Sequence, residues 1–459
     1  MSEILDVSKV ILKHKEFFEA GVTKDVNFRL EQLKKLKKAV EDREKQIMDA
    51  LCKDLHKSEF ESYLTEIGVV LSSINYFLKH LKKWAKVKKV RVPLNQIGSK
   101  AYIYHEPYGT VLIIGPSNYP FQLVFEPLIG AIAAGNCVIL KPSELTPNTA
   151  KVIKEIITET FDENYISIVE GGKEITRDLI NERVDYIFFT GSVAVGKIIA
   201  EAAGKNLIPC TLELGGKSPC IVHNDGDLEV AARRIVWGKF VNNGQTCVAP
   251  DYLLVHKDVK NDLLAKIKKY IIEFYGESPI TNNDYGRIVN HRQWERLINL
   301  IDKDKVFYGG EYIEEELYIS PTIIDNVNWE DKIMKDEIFG PIIPVIQYDS
   351  IESIIKKIKE REKPLALYIF TNSKDIERKI INEISYGGGC VNDTLFHLVN
   401  PNLPFGGVGA SGIGAYHGKT SFETFSHKKS IMKKTTLFDF NIIFPPYRNK
   451  LKIVKKLFK

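Results

Sequence analysis

The chain has 459 residues, too many for one compact core, and its 44% hydrophobic and 27% charged content describes a folded protein, not a disordered one. The 64 Lys and Arg against 59 Asp and Glu leave a net charge of +5 on a large surface, which argues against a nucleic-acid partner. The six cysteines include no C-x-x-C pair, and none stands beside histidines at zinc-site spacing, so neither a disulfide scaffold nor a structural metal is expected. "MSEILDVSKV" has no basic region followed by an apolar core, and no apolar window reaches membrane-span length, so a cytoplasmic protein with reduced thiols is the expectation.

Helices come first. "RLEQLKKLKKAVEDREKQIMDAL" sets Leu30, Leu33, Leu36, Val40, Ile47 and Leu51 on one stripe. "TEIGVVLSSINYFLKHLKKW" does the same with Ile67, Leu71, Ile74, Phe77, Leu78 and Leu81. The period then changes, and "KVRVPLNQIGSKAYIYHEPYG" reads as a protruding hairpin around a Gly-Ser turn. Five apolar runs follow, in "GTVLIIG", "NCVILKP", "ISIVEGG", "VDYIFFTGS" and "PCTLELGG", each shaped like a buried parallel strand. Separated by helix-like stretches, they predict a doubly wound α/β domain.

A second α/β region begins near Leu212. Its helices are predicted in "DLEVAARRIVWGKFVNN" and "KNDLLAKIKKYIIEFYG", its strands in "DYLLVHK", "PIIPVIQY" and "PLALYIFT". From "YGGGCVND" to "LPFGGVGASGIGAYHG" the glycines imply tight turns and close backbone approach. The basic end, "NKLKIVKKLFK", is read as a docked or frayed terminal helix in preference to a membrane contact.

"FFTGSVAVGKI" follows a strand and opens a helix, where free backbone N–H groups can meet an anion. Gly191-x-x-x-x-Gly196-Lys197 matches the phosphate loop of ATPases until Ile198, where a hydroxyl should hold Mg²⁺. Val193 also breaks the G-x-G-x-x-G pattern, so the loop alone leaves a nucleotide site and a simple helix-start turn both open. Cys247 in "NNGQTCVAPDY" is, by composition alone, either a reactive nucleophile or an inert buried thiol.

Taken together, "GPSNYPF" (115–121), "LKPSELTP" (140–147), "FTGSVAVGK", "LELGGKSP" (212–219), "NNGQTCVAP" (242–250), "DEIFGPIIPV" (336–345) and "LPFGGVGASGIGAYHGKTSFETFSH" resemble the NAD(P)-dependent aldehyde dehydrogenase superfamily, in matching order from about Arg29 to His427. "GQTCVAPDY" and "GAYHGKTSFETFSH" are most similar to class 3, the fatty and aromatic aldehyde group. The resemblance implies an α/β fold with two Rossmann-like doubly wound domains and a β-hairpin oligomerisation arm. It divides the chain into a cofactor-binding part (1–86 and 107–210), a catalytic part (211–400), an arm with the glycine-rich active-site wall (87–106 and 401–445) and a basic tail (446–459).

By the same resemblance Cys247 is the nucleophile, Glu213 the base that activates water, and Asn118 the oxyanion donor together with the Cys247 N–H. Lys141 and Glu144 would meet the adenosine ribose of NAD, or of NADP, and Gly191, Ser192, Val193, Ala194, Val195 and Gly196 the pyrophosphate. Leu214, Gly215 and Gly216 would pass close to the nicotinamide, with Glu337 on its ribose and Phe339 beside the ring; Glu337 is a second candidate base. Tyr119, Phe405 and His417, with Tyr63 and Phe396, are candidates for the aldehyde tunnel. A homodimer is implied, and no metal. Two rival readings are a CoA-acylating relative, which needs no water-activating glutamate, and a non-catalytic nucleotide-binding relative, which needs none of Asn118, Glu213 and Cys247.

Overall fold

The computed structural model describes residues 7–93, 96–439 and 441–457. The five apolar runs form one sheet, in the order Cys210–Leu214, Tyr186–Gly191, Thr110–Ile114, Cys137–Lys141 and Ile166–Ile168, all parallel. Gly412–Ile413 adds an antiparallel edge beside Cys210–Leu214. Val111, Leu112 and Ile113 are fully buried, as expected for strands covered on both faces. The chain leaves the central strand Thr110–Ile114 towards one edge and later returns to its other side. The crevice where ligands bind in such sheets therefore lies at the carboxyl ends of Thr110–Ile114 and Tyr186–Gly191.

The second sheet runs Val306–Tyr308, Thr322–Ile324, Ile342–Tyr348, Tyr252–His256, Pro219–Val222, Ala366–Phe370 and Gly388–Val391. Only the first of these is antiparallel to its neighbour. The doubly wound α/β architecture is thus present twice. The two helices predicted for this region form at Leu228–Phe240 and Lys260–Tyr275.

Three differences from the sequence-based expectation have physical causes. The first predicted helix is two, Val26–Asp42 and Glu44–Leu55, because Arg43 leaves helical geometry at φ −117° and its guanidinium turns to Glu159. The stripe survives the break, with Leu33, Leu36, Val40, Ile47 and Leu51 buried and Leu30 partly so. Cys210–Leu214 continues the first sheet four residues beyond the expected division at 210, since its apolar face packs with Phe189 and Ile199. The change of sheet falls in Gly215–Ser218 instead. In the glycine-rich stretch, Gly388–Val391 is a strand, not a turn; a Cβ on Gly389 would stand 2.0 Å from the Leu367 carbonyl oxygen.

The hairpin forms as Lys88–Val90 against Ser99–Pro107, although Leu94 and Asn95 lie outside the described residues. Ser426–Lys434 adds a third antiparallel strand. The tail helix Leu451–Leu457 is not docked on its own chain: Leu451 is 64% and Ile453 53% exposed. Lys452, Lys455 and Lys456 oppose burial of so short a segment. No helix among the described residues is long and apolar enough to cross a membrane.

Candidate active site

The strand Thr110–Ile114 runs out into Gly115–Pro120 before the helix Gln122–Ala134 begins. That helix is buried on every side, so the loop before it is anchored at both ends. Asn118 is buried there. Its side-chain Nδ2 donates to the Gln245 carbonyl at 3.0 Å, and its own carbonyl accepts from Asn242 Nδ2 at 2.7 Å.

Gln245 belongs to the segment that carries Cys247. After the helix Leu228–Phe240 the chain takes three successive left-handed residues, Asn242, Asn243 and Gly244, at φ 53°, 55° and 73°. Asparagine tolerates this region better than most residues, and such strain gathers at functional sites. A side chain at Gly244 would meet the Gly340 carbonyl oxygen at 2.3 Å, so the turn lies directly on the segment bearing Glu337 and Phe339. The Gln245 amide locks the far side, donating to the Asn242 and Arg287 carbonyls and accepting from Val289 N–H. Thr246 shares a 2.6 Å hydrogen bond with the Tyr119 hydroxyl, and Tyr368 donates to the Val248 carbonyl. Cys247 is half-buried between these two fixed neighbours.

Two carboxyl groups face the thiol. Glu213, next to last in its strand, is almost wholly buried, with no hydrogen-bond partner on either oxygen. A buried carboxyl so arranged has room for a proton or a water to partner it. Glu337 lies against Gly215, where an added Cβ would sit 2.0 Å from its Oε2, and it accepts the Gly216 N–H. Three groups clamp its segment: Arg296 donates to the Glu337 and Ile338 carbonyls, Lys217 to those of Ile333 and Asp336, and Asp251, paired with Lys217 at 2.6 Å, accepts Ile338 N–H. Burial pushes the Glu337 carboxyl up to about 8 and Glu213 well above the ordinary carboxylate range. Burial, and then the charges of Glu337 and Glu213, raise the Cys247 thiol. The N–H groups of Cys247 and Val248 act in the opposite direction, favouring the thiolate.

The cofactor candidates lie at the carboxyl edge of the first sheet. Lys141 ends its strand, buried, with its ammonium 2.6 Å from Glu144. Gly191 ends Tyr186–Gly191, on the far side of Thr110–Ile114, and Ser192 caps the helix Val193–Asn206 by accepting Val195 N–H at 3.4 Å. The other N–H groups of that first turn have no partner within the helix, and Ala194 and Val195 are exposed. A Cβ on Gly196 would stand 2.5 Å from Leu214 Cδ2, so glycine lets the helix close on the strand that carries Glu213. A helix start with free N–H groups, a buried lysine two strands away along the same sheet edge and a glycine approached by the Glu337 carboxyl fit a nicotinamide dinucleotide. Among the described residues no group of three His, Cys, Asp or Glu could hold a metal.

Tyr119, a candidate for the aldehyde tunnel, adjoins the Cys247 loop through Thr246. Phe405 and His417 stack at 5.2 Å, and Phe405 leads through His397, at 6.1 Å, to Tyr368 under the Cys247 loop. Burial holds the His397 and His417 imidazoles neutral, down to about 4, so this wall carries no charge at neutral pH. Tyr63 and Phe396 stand on the surface, the latter stacked on Trp237. Sequence reading missed Lys57, Glu61, Glu66, Asn242, Gln245, Lys217, Asp251, Arg296, Tyr368 and His397. Glu66, a carboxylate adjoining the apolar stripe at Ile67, was the one visible signal.

Residues 4–431 match the aldehyde dehydrogenase family, and the chain belongs to it. It is an NAD(P)-dependent oxidoreductase that converts aldehydes to acids. Its relatives include the 4,4'-diaponeurosporen-aldehyde dehydrogenase of Staphylococcus aureus, 54% identical over 97% of both chains. The dimeric NADP-preferring aldehyde dehydrogenase of Mus musculus is 46% identical over 94% of this chain and 95% of its own. The substrate-bound state of Staphylococcus aureus AldH superposes with a TM-score of 0.97 at 53% identity, covering 99% of each chain. An NAD⁺ complex of a Bacillus cereus aldehyde dehydrogenase gives 0.84 at 27% identity, over 94% of this chain and 89% of that one.

The raised thiol makes a direct prediction for the free protein. A group whose pKa lies high is mostly protonated at neutral pH, and its thiolate fraction grows about tenfold per pH unit below that pKa. Alkylation of Cys247 by iodoacetamide, followed by peptide mass spectrometry, should climb from pH 7 to 9 without a plateau. A plateau with a midpoint below pH 7 would contradict the geometry.

Proposed function

We propose that Cys247 attacks the aldehyde carbon, that the Asn118 amide and the Cys247 N–H hold the resulting oxyanion, and that Glu213 activates the water which later frees the acid. The observation that carries this reading is the convergence of all three on one spot, with the two Glu213 oxygens unpartnered. The thiol proton must leave before the carbonyl is attacked, and both nearby carboxyls are pushed towards or above neutrality. Each can therefore hold a proton at working pH, the condition a general acid–base group needs. Water beside Glu213 would rehydrate its carboxylate and bring it down into that range.

Addition forms the carbon–sulfur bond and leaves the former carbonyl oxygen negative. A nicotinamide dinucleotide held at this site would supply the hydride acceptor, so that collapse of the oxyanion leaves the carbon as a thioester on Cys247. The remaining thioester is attacked by water, Glu213 takes the water's proton, and the carbon–sulfur bond breaks to return the Cys247 thiolate. Overall, aldehyde, NAD(P)⁺ and water become carboxylate, NAD(P)H and two protons. Lys141, Glu144 and the 191–196 turn would hold the adenosine and phosphates, Glu337 the nicotinamide ribose with Phe339 beside the ring, and Leu214 and Gly215 the approach to it. Transfer of the acyl group to CoA would leave the buried Glu213 without a role.

The uncharged wall of Tyr119, Phe405 and His417 supports an apolar aldehyde, medium or long-chain aliphatic or aromatic. The Staphylococcus aureus relative, named for 4,4'-diaponeurosporen-aldehyde, points the same way. A homodimer is proposed as well, built on the three-stranded sheet, whose strand Ser426–Lys434 is exposed beyond its first residue.

Cys247→Ala should reduce aldehyde-dependent NAD(P)H formation to background. Glu213→Gln should keep the first turnover as a burst and lose roughly 10²–10⁴-fold in steady rate. Stopped-flow absorbance checks both; steady turnover at the wild-type rate in the glutamine variant would remove Glu213 from the base role. Sedimentation equilibrium should give twice the chain mass, and a monomer at micromolar concentration would refute the dimer.

A further inference from the structure

Lys57 has no part in the mechanism above, yet its side chain has 0% exposure. It follows His56, which ends the helix Glu44–Leu55 in the left-handed region and turns the chain inward. Its ammonium donates to Glu66 Oε1 at 2.5 Å and to the Asn118 carbonyl at 3.1 Å, and it stands 4.2 Å from the centre of the Tyr119 ring. Glu66 uses its other oxygen on the N–H groups of Phe121 and Gln122, at 2.9 and 3.1 Å. The ion pair therefore grips the Asn118 loop on both sides of Tyr119.

The same stretch of chain also reaches the nucleophile. Glu61 accepts the Asn242 N–H at 2.9 Å, and Asn242 in turn donates to the Asn118 carbonyl that Lys57 holds. The Asn118 and Asn242 side-chain amides share the Gln245 carbonyl, two residues before Cys247. Residues 57–66 thus tie together two loops that issue from different sheets. The separation of oxyanion donor and thiol is set here, since neither sheet alone determines it.

We propose that Lys57 is a positioning residue for the oxyanion site: it holds Asn118 in register with the Cys247 loop and so governs formation of the acyl-enzyme. Cofactor binding depends on other groups, at the 191–196 turn, and is not under its control, whereas thioester hydrolysis passes through an oxyanion on the same carbon and shares the dependence on Asn118. The inference rests on the reading of Asn118 as the oxyanion donor. A displacement of about 1 Å in such a group can cost on the order of 10²-fold in rate.

The test uses the paired variant Lys57→Met/Glu66→Gln. Methionine fills the lysine's volume, and the glutamine carbonyl still accepts from Phe121 and Gln122, so no lone charge is left buried. Three quantities are compared with wild type and Asn118→Ala: the acylation burst rate, thioester hydrolysis and NADH affinity by fluorescence. The expected result is a ten- to hundredfold slower burst, hydrolysis slowed no more than in Asn118→Ala, and NADH affinity within twofold. When Asn118→Ala is added to the paired variant, the two burst effects should fail to multiply, because both act through one amide. Lys57→Gln/Glu66→Gln, which keeps a polar pair at both positions without a lone charge, should give a smaller loss in the same step and serves where the methionine variant does not fold. A burst within twofold of wild type, equal losses in all three quantities, or burst effects that multiply with Asn118→Ala would each overturn the role of Lys57. If Asn118→Ala itself leaves the burst unchanged, the oxyanion reading falls first and this inference with it.

Discussion

An ammonium and a carboxylate closed off from water are expensive to bury, and the Lys57–Glu66 pair meets that cost only because every polar group around it is used. The ammonium has a carboxylate, a backbone carbonyl and an aromatic face; the carboxylate has the ammonium and two backbone N–H groups. Replacing such a pair by apolar groups can be neutral for stability, whereas removing one partner costs about 3–5 kcal/mol. Its value to this molecule is therefore geometric. Asn118 and Cys247 stand on loops from separate sheets, and the N-terminal segment is what holds one loop against the other.

The chemistry then follows from how little water reaches the site. Burial raises the Cys247 thiol, the Glu337 carboxyl and the Glu213 carboxyl together, so the free protein stores its reactive groups in protonated form. A thiol so held is protected from adventitious alkylation until substrate and cofactor alter its surroundings. The two carboxyls are supported differently. Glu337 is clamped through its backbone by Arg296, Lys217 and Asp251 and accepts the Gly216 N–H. Glu213 is held only by its strand, with both oxygens open to a mobile partner. That contrast supports the proposed division of labour, with Glu213 handling water and Glu337 holding a ligand.

Most of the fold was legible because parallel strands buried on both faces leave unbroken apolar runs, such as "VLII" and "CVIL", that no surface segment imitates. Asn118, Glu213 and Cys247 were picked out through an ordered set of motifs and not through periodicity, and the structure places them on neighbouring segments. The supporting shell was not. Lys57, Glu61 and Glu66 lie in helical sequence where charged residues ordinarily face solvent, and only tertiary packing turns them inward. Gln245 and Asn242 read as loop formers, although their amides carry the register between loops. The helix break at Arg43 depends on a long-range partner, Glu159, and the exposure of the tail helix at Leu451 and Ile453 on tertiary packing, neither of which local sequence displays.

The covalent step at Cys247 is the centre of the account. Acid quench during turnover of a medium-chain aldehyde with NAD⁺, followed by peptide mass spectrometry, reads it directly. The acyl group should appear on the peptide containing Cys247, accumulate in Glu213→Gln, and require NAD⁺ for its formation. An acyl mass on Cys390 or another cysteine instead, or none at all in the slowed variant, would contradict it.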